Sequence, residues 1–199
     1  MAQKRLDYIP AAQLNAVNSS VPYALTEPIT GLGIPGTGLN LGDYLDLTLA
    51  EATNLSSTSL PLYEGRYVFV KVDSGATAAN VKRGTIAMWT TIAKGDFTVT
   101  SFDKALAADL TIGVFLNSIT PGYYGFIQVL GRASVLAGTL TATPAVGDPV
   151  IVTTAGVVDV PTGNVLTFAL LGQYIGKALQ ALSNASIGQM KIEIPFAEF

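Results

Sequence analysis

The sequence predicts an all-β fold: a small β-barrel built from two similar halves and preceded by an extended N-terminal arm. Three observations support this prediction. From residue 64 onward, short runs rich in Val, Ile, Thr, Tyr and Phe alternate with turn residues at intervals of roughly ten residues. Only 13% of the 199 residues are charged, against about 25% in a typical domain. Several short segments also recur in the same order along this region.

Residues 1–62 are predicted to form the arm, and residues 63–199 the β-barrel domain. Prolines break helices and interior strands alike, and the arm contains Pro10, Pro22, Pro28, Pro35 and Pro61. Only the stretch 43–52 fits a short helix or a strand, and its alternation slightly favours a strand.

The arm has more apolar side chains than a solvated linker carries, so we expect it to lie on a partner. It has no basic residue between Arg5 and Arg66. The candidate partner-binding residues are Tyr23, Leu39, Leu41, Tyr44, Leu45 and Leu47.

The domain region contains ten candidate strands. Ala155-Gly156 lies between two apolar runs and predicts a tight hairpin, because glycine readily adopts positive φ. The candidate strands are 66–72, 85–92, 97–102, 110–116, 123–130, 133–136, 149–153, 157–160, 166–176 and 190–194.

An internal repeat predicts the two similar halves. Each half has the order turn and strand, glycine-marked strand, second glycine turn and last alternating strand. The matched segments are 95–100 with 147–152, 112–116 with 175–179, and Gly122 before 126–129 with Gly188 before 190–194.

The composition excludes most catalytic chemistry. Without cysteine there is no disulfide, thiol nucleophile or zinc site of the usual kind. Without histidine there is no Ser-His-Asp triad and no imidazole titrating near neutral pH. We therefore expect a protein that is not an enzyme and that uses no cofactor and no metal ion.

Charge and hydropathy patterns exclude two further partners. The net charge is -3, and no Lys/Arg stripe of the kind that binds phosphates is present. No secretory signal and no apolar run long enough for a spanning helix occur. We expect no nucleic-acid binding, no membrane association and synthesis in the cytoplasm.

Three motifs resemble functional sites. Residues 31–36 match Gly-x-Gly-x-x-Gly, but Pro35 and the lack of a preceding strand favour a close-packing loop. Asp43 with Asp46, and Asp103 with Asp109, have spacings compatible with a cation site or an acid/base pair, although solvated carboxylates near turns explain them more simply.

Aromatic residues leave one alternative function open. Trp89, Tyr123 and Tyr124 could stack on a sugar, although aromatic residues in short strands more often belong to the core or to an interface. The alternative is therefore a glycan- or receptor-binding β-domain on a virion or cell surface. A third interpretation is a structural virion component elsewhere, such as a head fibre base, a tail protein or a minor shell subunit. A hydrolase that uses only carboxylates ranks last, because no carboxylates converge in the sequence.

Residues 64–195 resemble the small β-barrel capsid decoration proteins of tailed phages, also called cement or head-stabilising proteins. The resemblance covers about two thirds of the chain and is carried by short, glycine-led motifs; residues 1–62 have no counterpart in it. The segments that carry it are 81–86, 112–114, 121–133, 146–150, 156–158, 175–179 and 190–194.

The resemblance implies a structural virion protein without a catalytic site. Such a protein binds the outer surface of the assembled capsid, commonly as a homotrimer, and stabilises it. Its partners would be the major capsid protein and neighbouring decoration subunits, the latter reached through the arm. A low-charge contact surface and an extended segment suit this role, because many weak contacts together give durable attachment.

Overall fold

The computed structural model describes residues 41–56, 61–90, 97–101, 111–165 and 173–193. Within these ranges the protein is mostly β, with ten strands joined in one mixed sheet. Helix α1 (Leu49–Leu55) follows the first strand, and short 3-10 turns occupy Ala78–Asn80, Thr154–Gly156 and Thr162–Asn164. The strands are β1 (Tyr44–Leu47), β2 (Gly65–Val72), β3 (Ile86–Trp89), β4 (Thr98–Ser101), β5 (Thr111–Phe115), β6 (Tyr124–Leu136), β7 (Pro149–Val152), β8 (Val158–Asp159), β9 (Tyr174–Ala178) and β10 (Ile187–Ile192).

Five strands form a ring in the first part of the sheet. β2 pairs in parallel with β4, and antiparallel pairings then run from β4 to β3, β5, β6 and back to β2. β1 pairs antiparallel with the N-terminal half of β2 and extends the sheet outside the ring. We call β2, β3, β4, β5 and residues 124–130 of β6 the first unit.

The rest of the sheet repeats this arrangement. Residues 131–136 of β6 take the place of β2, and β10, β9, β7 and β8 follow in order. A parallel bridge between Ala137 and Val158 connects β8 to the end of β6, as Val72 and Val99 connect β2 to β4 in the first unit. We call these strands the second unit. The two units share β6, whose first half completes one ring and whose second half begins the other.

The units correspond residue by residue in their backbone hydrogen bonds. For β3, β5 and the first half of β6, residue n corresponds to residue n + 63 in β7, β9 and β10. The Gly84 amide donates to the Phe115 carbonyl at 2.9 Å, and the Gly147 amide donates to the Ala178 carbonyl at 2.8 Å. The chain therefore contains the same strand unit twice.

Glycine is required at one corresponding position in both units. A Cβ at Gly113 would lie 2.5 Å from the Gln128 carbonyl oxygen, and a Cβ at Gly176 would lie 1.9 Å from the Lys191 carbonyl oxygen. Both distances are far below any van der Waals contact. The close backbone approach of β5 to β6, and of β9 to β10, depends on these two glycines.

One of the three segment matches predicted from the sequence is confirmed. Segments 112–116 and 175–179 correspond at the spacing of 63 residues. The match of 95–100 with 147–152 is wrong, because 147–152 correspond to 84–89. The third match is displaced: Gly188 corresponds to Gly125, and Gly122 to Ala185, which also has positive φ.

The prediction of an all-β fold is confirmed in part, because the described residues are mostly β-strand and their pairings form a ring. The closed small barrel stays a prediction. Two predicted strands, 123–130 and 133–136, are one continuous 13-residue strand. Gly131 lies between them with φ of +95°, where an added Cβ would lie 2.3 Å from the Glu64 carbonyl oxygen. Glycine here permits a close chain crossing without ending the strand.

Part of the predicted extended arm has regular structure. Residues 44–47 form β1, but the following stretch is helical because Thr48 and Glu51 form a capping box. The Thr48 amide donates to Glu51 Oε2 at 2.8 Å, and the Glu51 amide donates to Thr48 Oγ1 at 3.4 Å. Both elements lie on the arm side of the domain boundary predicted after residue 62, and that boundary stays a prediction.

A single apolar core extends through both units. Val70 and Phe115 of the first unit belong to the same buried cluster as Val135 and Ile175 of the second. At about 25 cal/mol per Å² of buried apolar surface, this shared core is the main stabilising contribution to the fold. The outer sides of the two units, in contrast, differ in residue type and exposure.

Candidate interaction surface

The predicted partner-binding residues of the arm have different environments. Leu41, Leu45 and Leu47 are buried in the core of their own chain, each no more than 7% exposed. Tyr44 is half-buried. Tyr23 and Leu39 lie outside the described residues. The three buried leucines stabilise the attachment of β1 to β2, and their role towards a partner stays a prediction.

An ion pair fixes β1 on β2. Arg66 Nε donates to Asp46 Oδ1 at 2.8 Å and Arg66 Nη2 to Asp46 Oδ2 at 3.1 Å, while the guanidinium carbon lies 4.5 Å from the Tyr44 ring centre. The hydrogen bond to Asp46 raises the pKa of Arg66 above its ordinary value. Because both side chains are about one third exposed, the pair sets the register of β1 more than it adds stability.

On the first unit, the outer face of the sheet is apolar and covered. This face, which points away from the ring interior, contains Tyr67 and Phe69 from β2 and Tyr124, Phe126 and Gln128 from β6. None of the five is more than 6% exposed. The Phe69 ring lies 5.1 Å from the Phe126 ring and 6.2 Å from the Tyr124 ring.

Described residues before β2 lie beside this face, with Leu45 of β1 opposite Tyr67. Leu45, Leu47, Ala52 and Leu62 belong to the same buried cluster. The Tyr67 hydroxyl donates to the Tyr63 carbonyl at 2.6 Å and accepts from the Tyr63 amide at 3.1 Å. Burial of the ring raises the pKa of Tyr67 well above its ordinary value.

Polar side chains join the two units at the middle of β6. Arg132 Nε donates to Gln189 Oε1 at 2.9 Å, and its guanidinium carbon lies 5.1 Å from the Tyr63 ring centre. Gln189 Nε2 donates to the Tyr63 hydroxyl at 2.9 Å. Gln128 is 1% exposed and donates to the Arg132 carbonyl. Sequence analysis missed this network, although a glutamine inside the apolar run Phe-Ile-Gln-Val was a usable signal.

The outer face of the second unit mixes polar and aliphatic side chains and is more exposed than that of the first unit. On β10, Gly188, Met190 and Ile192 are buried, whereas the alternate residues face outward and are exposed or half-buried. Ile187 is opposite Leu136, and Lys191 is opposite both Arg132 and Lys177. We define the second-unit outer face as Arg132, Leu136, Lys177, Leu179, Ile187, Gln189 and Lys191.

Glu193 organises the charges at one end of this face. Lys191 Nζ lies 3.0 Å from Glu193 Oε1, and Lys177 Nζ lies 3.9 Å from Glu193 Oε2. The hydrogen bond from Lys191 lowers the pKa of Glu193. The Tyr174 hydroxyl donates to Glu193 Oε2 at 2.8 Å, and burial together with this carboxylate raises the pKa of Tyr174 to about 12.

The candidate carboxylate pairs are not brought together as a described site. Asp43 is buried, and Asp46 is bound to Arg66. Asp103 and Asp109 lie outside the described residues. Among the residues that the structure describes, no group of three or more His, Cys, Asp or Glu side chains could hold a metal ion.

The aromatic residues proposed to stack on a sugar are mostly internal. Trp89 is 2% exposed and packs edge-on against Phe97, with ring centres 5.9 Å apart. Tyr124 is 6% exposed and stacks on Phe69. Their interpretation as core residues is confirmed, and neither ring presents a face to a ligand. Tyr123 is half-buried.

An open cavity of about 350 Å³ lies at one end of the second unit, lined by residues 140–143 and 182–184. The nearby Asp159 carboxylate is already bound by the Thr141 amide and hydroxyl at 2.7 and 2.6 Å. Asn184 Oδ1 accepts from the Leu140 amide at 2.9 Å. These polar groups hold the surrounding loops in place.

The described structure thus defines a mostly β protein with a duplicated five-strand unit, one covered outer face and one open outer face. In the described ranges no helix is long and apolar enough to cross a membrane. No family model matches the chain, and no curated protein matches it.

Among solved structures, the chain is similar to the head fiber gp8.5 N base of bacteriophage phi29, with 12% sequence identity and a TM-score of 0.45. The match covers 64% of this chain and 93% of that chain. A likeness of this size carries no argument about what the present chain binds.

Proposed function

We propose that the protein is a structural component of a tailed-phage virion that binds the outer surface of the assembled capsid and stabilises it. The sequence resemblance to capsid decoration proteins is the first support. The segments that carry it correspond to strands and turns of the two units, including the glycine-marked strands β5 and β9. The proposal includes that the ring-forming sheet is a small closed barrel of the kind found in that family.

The observation that carries the proposal is the difference between the two outer faces. The first-unit face is covered within the chain, whereas the second-unit face combines exposed apolar side chains with exposed lysines. Leu179 is 37% exposed and Ile187 44% exposed. A sheet with an open face of mixed character suits a protein whose work is to bind another protein.

The partners in this proposal are the major capsid protein and neighbouring copies of the chain, with a homotrimer as the assembly. Contacts through the arm use Tyr23, Leu39 and the exposed part of Tyr44. Leu41, Leu45 and Leu47 act indirectly, because they fix the base of the arm in the core. The location is the outer surface of the virion after synthesis in the host cytoplasm, and no cofactor, nucleic acid or membrane is involved.

The alternative, a glycan- or receptor-binding domain, has less support. It relied on Trp89, Tyr123 and Tyr124 as a stacking platform, and two of these rings are buried. Sugar recognition by stacking requires an accessible aromatic face. No described feature favours this alternative over capsid binding.

Co-sedimentation with capsids tests the proposal. The purified full-length chain is mixed with empty capsids of the phage that encodes it, and bound copies are counted as the protein concentration rises. We expect saturation at a fixed number of copies per capsid and a higher temperature of capsid disruption. A matched variant lacking residues 1–40 keeps β1 and α1 and should bind more weakly. Failure of the full chain to bind at any concentration contradicts the proposal.

A further inference from the structure

The duplicated unit allows the two outer faces to be compared position by position. Tyr124, Phe126 and Gln128 of the first unit correspond to Ile187, Gln189 and Lys191 of the second. Corresponding β2 and β6 positions carry Tyr67, Phe69 and Lys71 in the first unit, and Arg132, Ser134 and Leu136 in the second. Four of these six first-unit positions are aromatic and buried, whereas the six second-unit positions are polar or aliphatic and half-buried or exposed.

We propose that the second-unit outer face binds residues 6–40 of a second copy of this chain. The proposal rests on the proposed function in one respect, the assembly of neighbouring copies through the arm. In the first unit, the segment that follows residue 40 pairs with β2 as β1 and places Leu45 beside Tyr67 of the corresponding face. The N-terminal segment of another copy would give the second unit an equivalent cover.

Charge supports this occupant. Residues 6–40 contain Asp7 and Glu27 and no lysine or arginine. The second-unit outer face carries Arg132, Lys177 and Lys191, and Glu193 offsets one of these charges. The side chains of the two lysines are 54% and 59% exposed. Lys4 and Arg5 lie just before this stretch, but residues 6–40 themselves have a net charge of -2 and are attracted to this face. The same face of another copy would be repelled.

Apolar residues on both sides support the same occupant. Leu179 follows β9, and its amide donates to the Gln189 carbonyl at 3.0 Å, which places it beside β10 and near Ile187. Residues 6–40 alternate polar and glycine residues with apolar ones. The apolar residues of this segment are Leu6, Tyr8, Ile9, Leu14, Val17, Val21, Tyr23, Leu25, Ile29, Leu32, Ile34 and Leu39, together with its alanines.

The position of residue 41 favours a second copy over the same chain. The Gly42 amide donates to the Phe69 carbonyl, so the chain enters β1 beside the C-terminal half of β2. The second unit begins at the opposite end of β2, where Gly65 is opposite Gly131. Residue 41 therefore lies at the end of the first unit that is farther from the second-unit face.

Disulfide trapping tests the proposal, because the chain has no cysteine of its own. One protein carries a single cysteine in the arm, at Leu14, Leu25 or Leu39 in separate variants. The other carries a single cysteine on the second-unit face, Leu179→Cys or Ile187→Cys. Leu49→Cys, on the exposed side of α1, is the matched control. Every disulfide between the two proteins joins two copies.

We expect mixed oxidation to link at least one arm position to the second-unit cysteines and much less to Leu49→Cys. Absence of these links, or equal linking to the control, overturns the proposal. A chain with both Leu39→Cys and Ile187→Cys is also oxidised in excess cysteine-free protein. An internal disulfide that persists there would show that the arm binds its own chain, which also overturns the proposal.

Charge reversal provides a second measurement. The double variant Lys177→Glu/Lys191→Glu should weaken self-association in sedimentation by about tenfold, because it reverses both exposed positive charges of this face. Lys82→Glu, at an exposed position in the turn before β3, is the control and should have little effect. Asp7→Lys/Glu27→Lys should restore association of the double variant. Unchanged association of the double variant contradicts the proposal.

These measurements use the free protein, so they are separate from capsid binding. If the cross-links are absent but the protein still co-sediments with capsids, only the proposed contact between the arm and the second-unit outer face is contradicted. Loss of co-sedimentation with intact cross-links removes the capsid role and leaves the contact between copies standing.

Discussion

Replacing Gly176 by alanine tests the close approach of β9 to β10. Gly176 has φ of +150°, and an added Cβ would lie 1.9 Å from the Lys191 carbonyl oxygen. Two costs therefore arise together: a backbone conformation that side chains disfavour, and a collision with a neighbouring strand. Two other glycines separate these costs: Gly147 has the unfavourable backbone conformation alone, and Gly113 has the collision alone.

Gly147 has φ of +93° with no atom within 4 Å of an added Cβ, so Gly147→Ala measures backbone strain alone, about 1–3 kcal/mol. Gly113 has no positive φ, but its Cβ would lie 2.5 Å from the Gln128 carbonyl oxygen. Gly113→Ala therefore measures the collision, about 1–3 kcal/mol. Gly176→Ala combines both and should destabilise the fold by about 2–6 kcal/mol.

Urea unfolding, followed by the fluorescence of the single tryptophan, measures these differences. Trp89 lies in the core at 2% exposure, so unfolding changes its environment. The expected order of unfolding midpoints is wild type, then Gly147→Ala and Gly113→Ala, then Gly176→Ala, with equal slopes. A Gly176→Ala midpoint no lower than that of Gly147→Ala would refute the claim that β9 and β10 approach closely at this residue.

Four further predictions concern stability. Without histidine, stability should be nearly flat from about pH 6 to 8. Tyr67 and Tyr174 have raised pKa values in the folded state, so the folded state keeps their protons at a pH where the unfolded chain loses them. Their contribution to stability is complete below about pH 10, the unfolded value, and is lost as the pH rises towards 12. Tyr67→Phe should reduce this alkaline loss of stability in thermal melts. Thr48→Ala removes a helix cap and should cost about 1 kcal/mol in urea unfolding. Deleting residues 1–40 should leave the melting temperature almost unchanged. Deleting residues 1–60 removes three buried leucines, whose burial contributes about 1.5–3 kcal/mol each, and should lower the melting temperature strongly. Equal melting temperatures of the two truncated proteins would contradict the role of β1.

The positions of most strands could be predicted from the sequence, because strands and turns have strong local signals. Glycine turns and β-branched runs located most strands, and the 112–116 and 175–179 match was found because Gly113 and Gly176 meet the same steric requirement. The other matches failed or were displaced because turn chemistry such as Gly-Asp recurs at positions that do not correspond. The alternation in 43–52 hid helix α1, although the Thr48 and Glu51 capping box was present in the sequence.

The interaction surface was less accessible to sequence analysis. The sequence does not distinguish among the apolar side chains of the arm, but the pairing of β1 with β2 buries Leu45 and Leu47 inside the same chain. Whether a strand residue faces the core or solvent depends on pairing partners far away in sequence. The open face of the second unit emerged only when β6, β9 and β10 were placed side by side, because Lys177 and Leu136 are 41 positions apart.

Cryo-electron microscopy of capsids mixed with the full-length chain tests the central claim most directly. The account predicts additional density on the outer surface of the shell, at symmetry-related positions, into which the ten-stranded sheet with its two units fits. Density that connects neighbouring copies would be expected at the second-unit outer face. A bare outer surface under saturating protein, or density confined to the capsid interior or to the tail, would contradict the account.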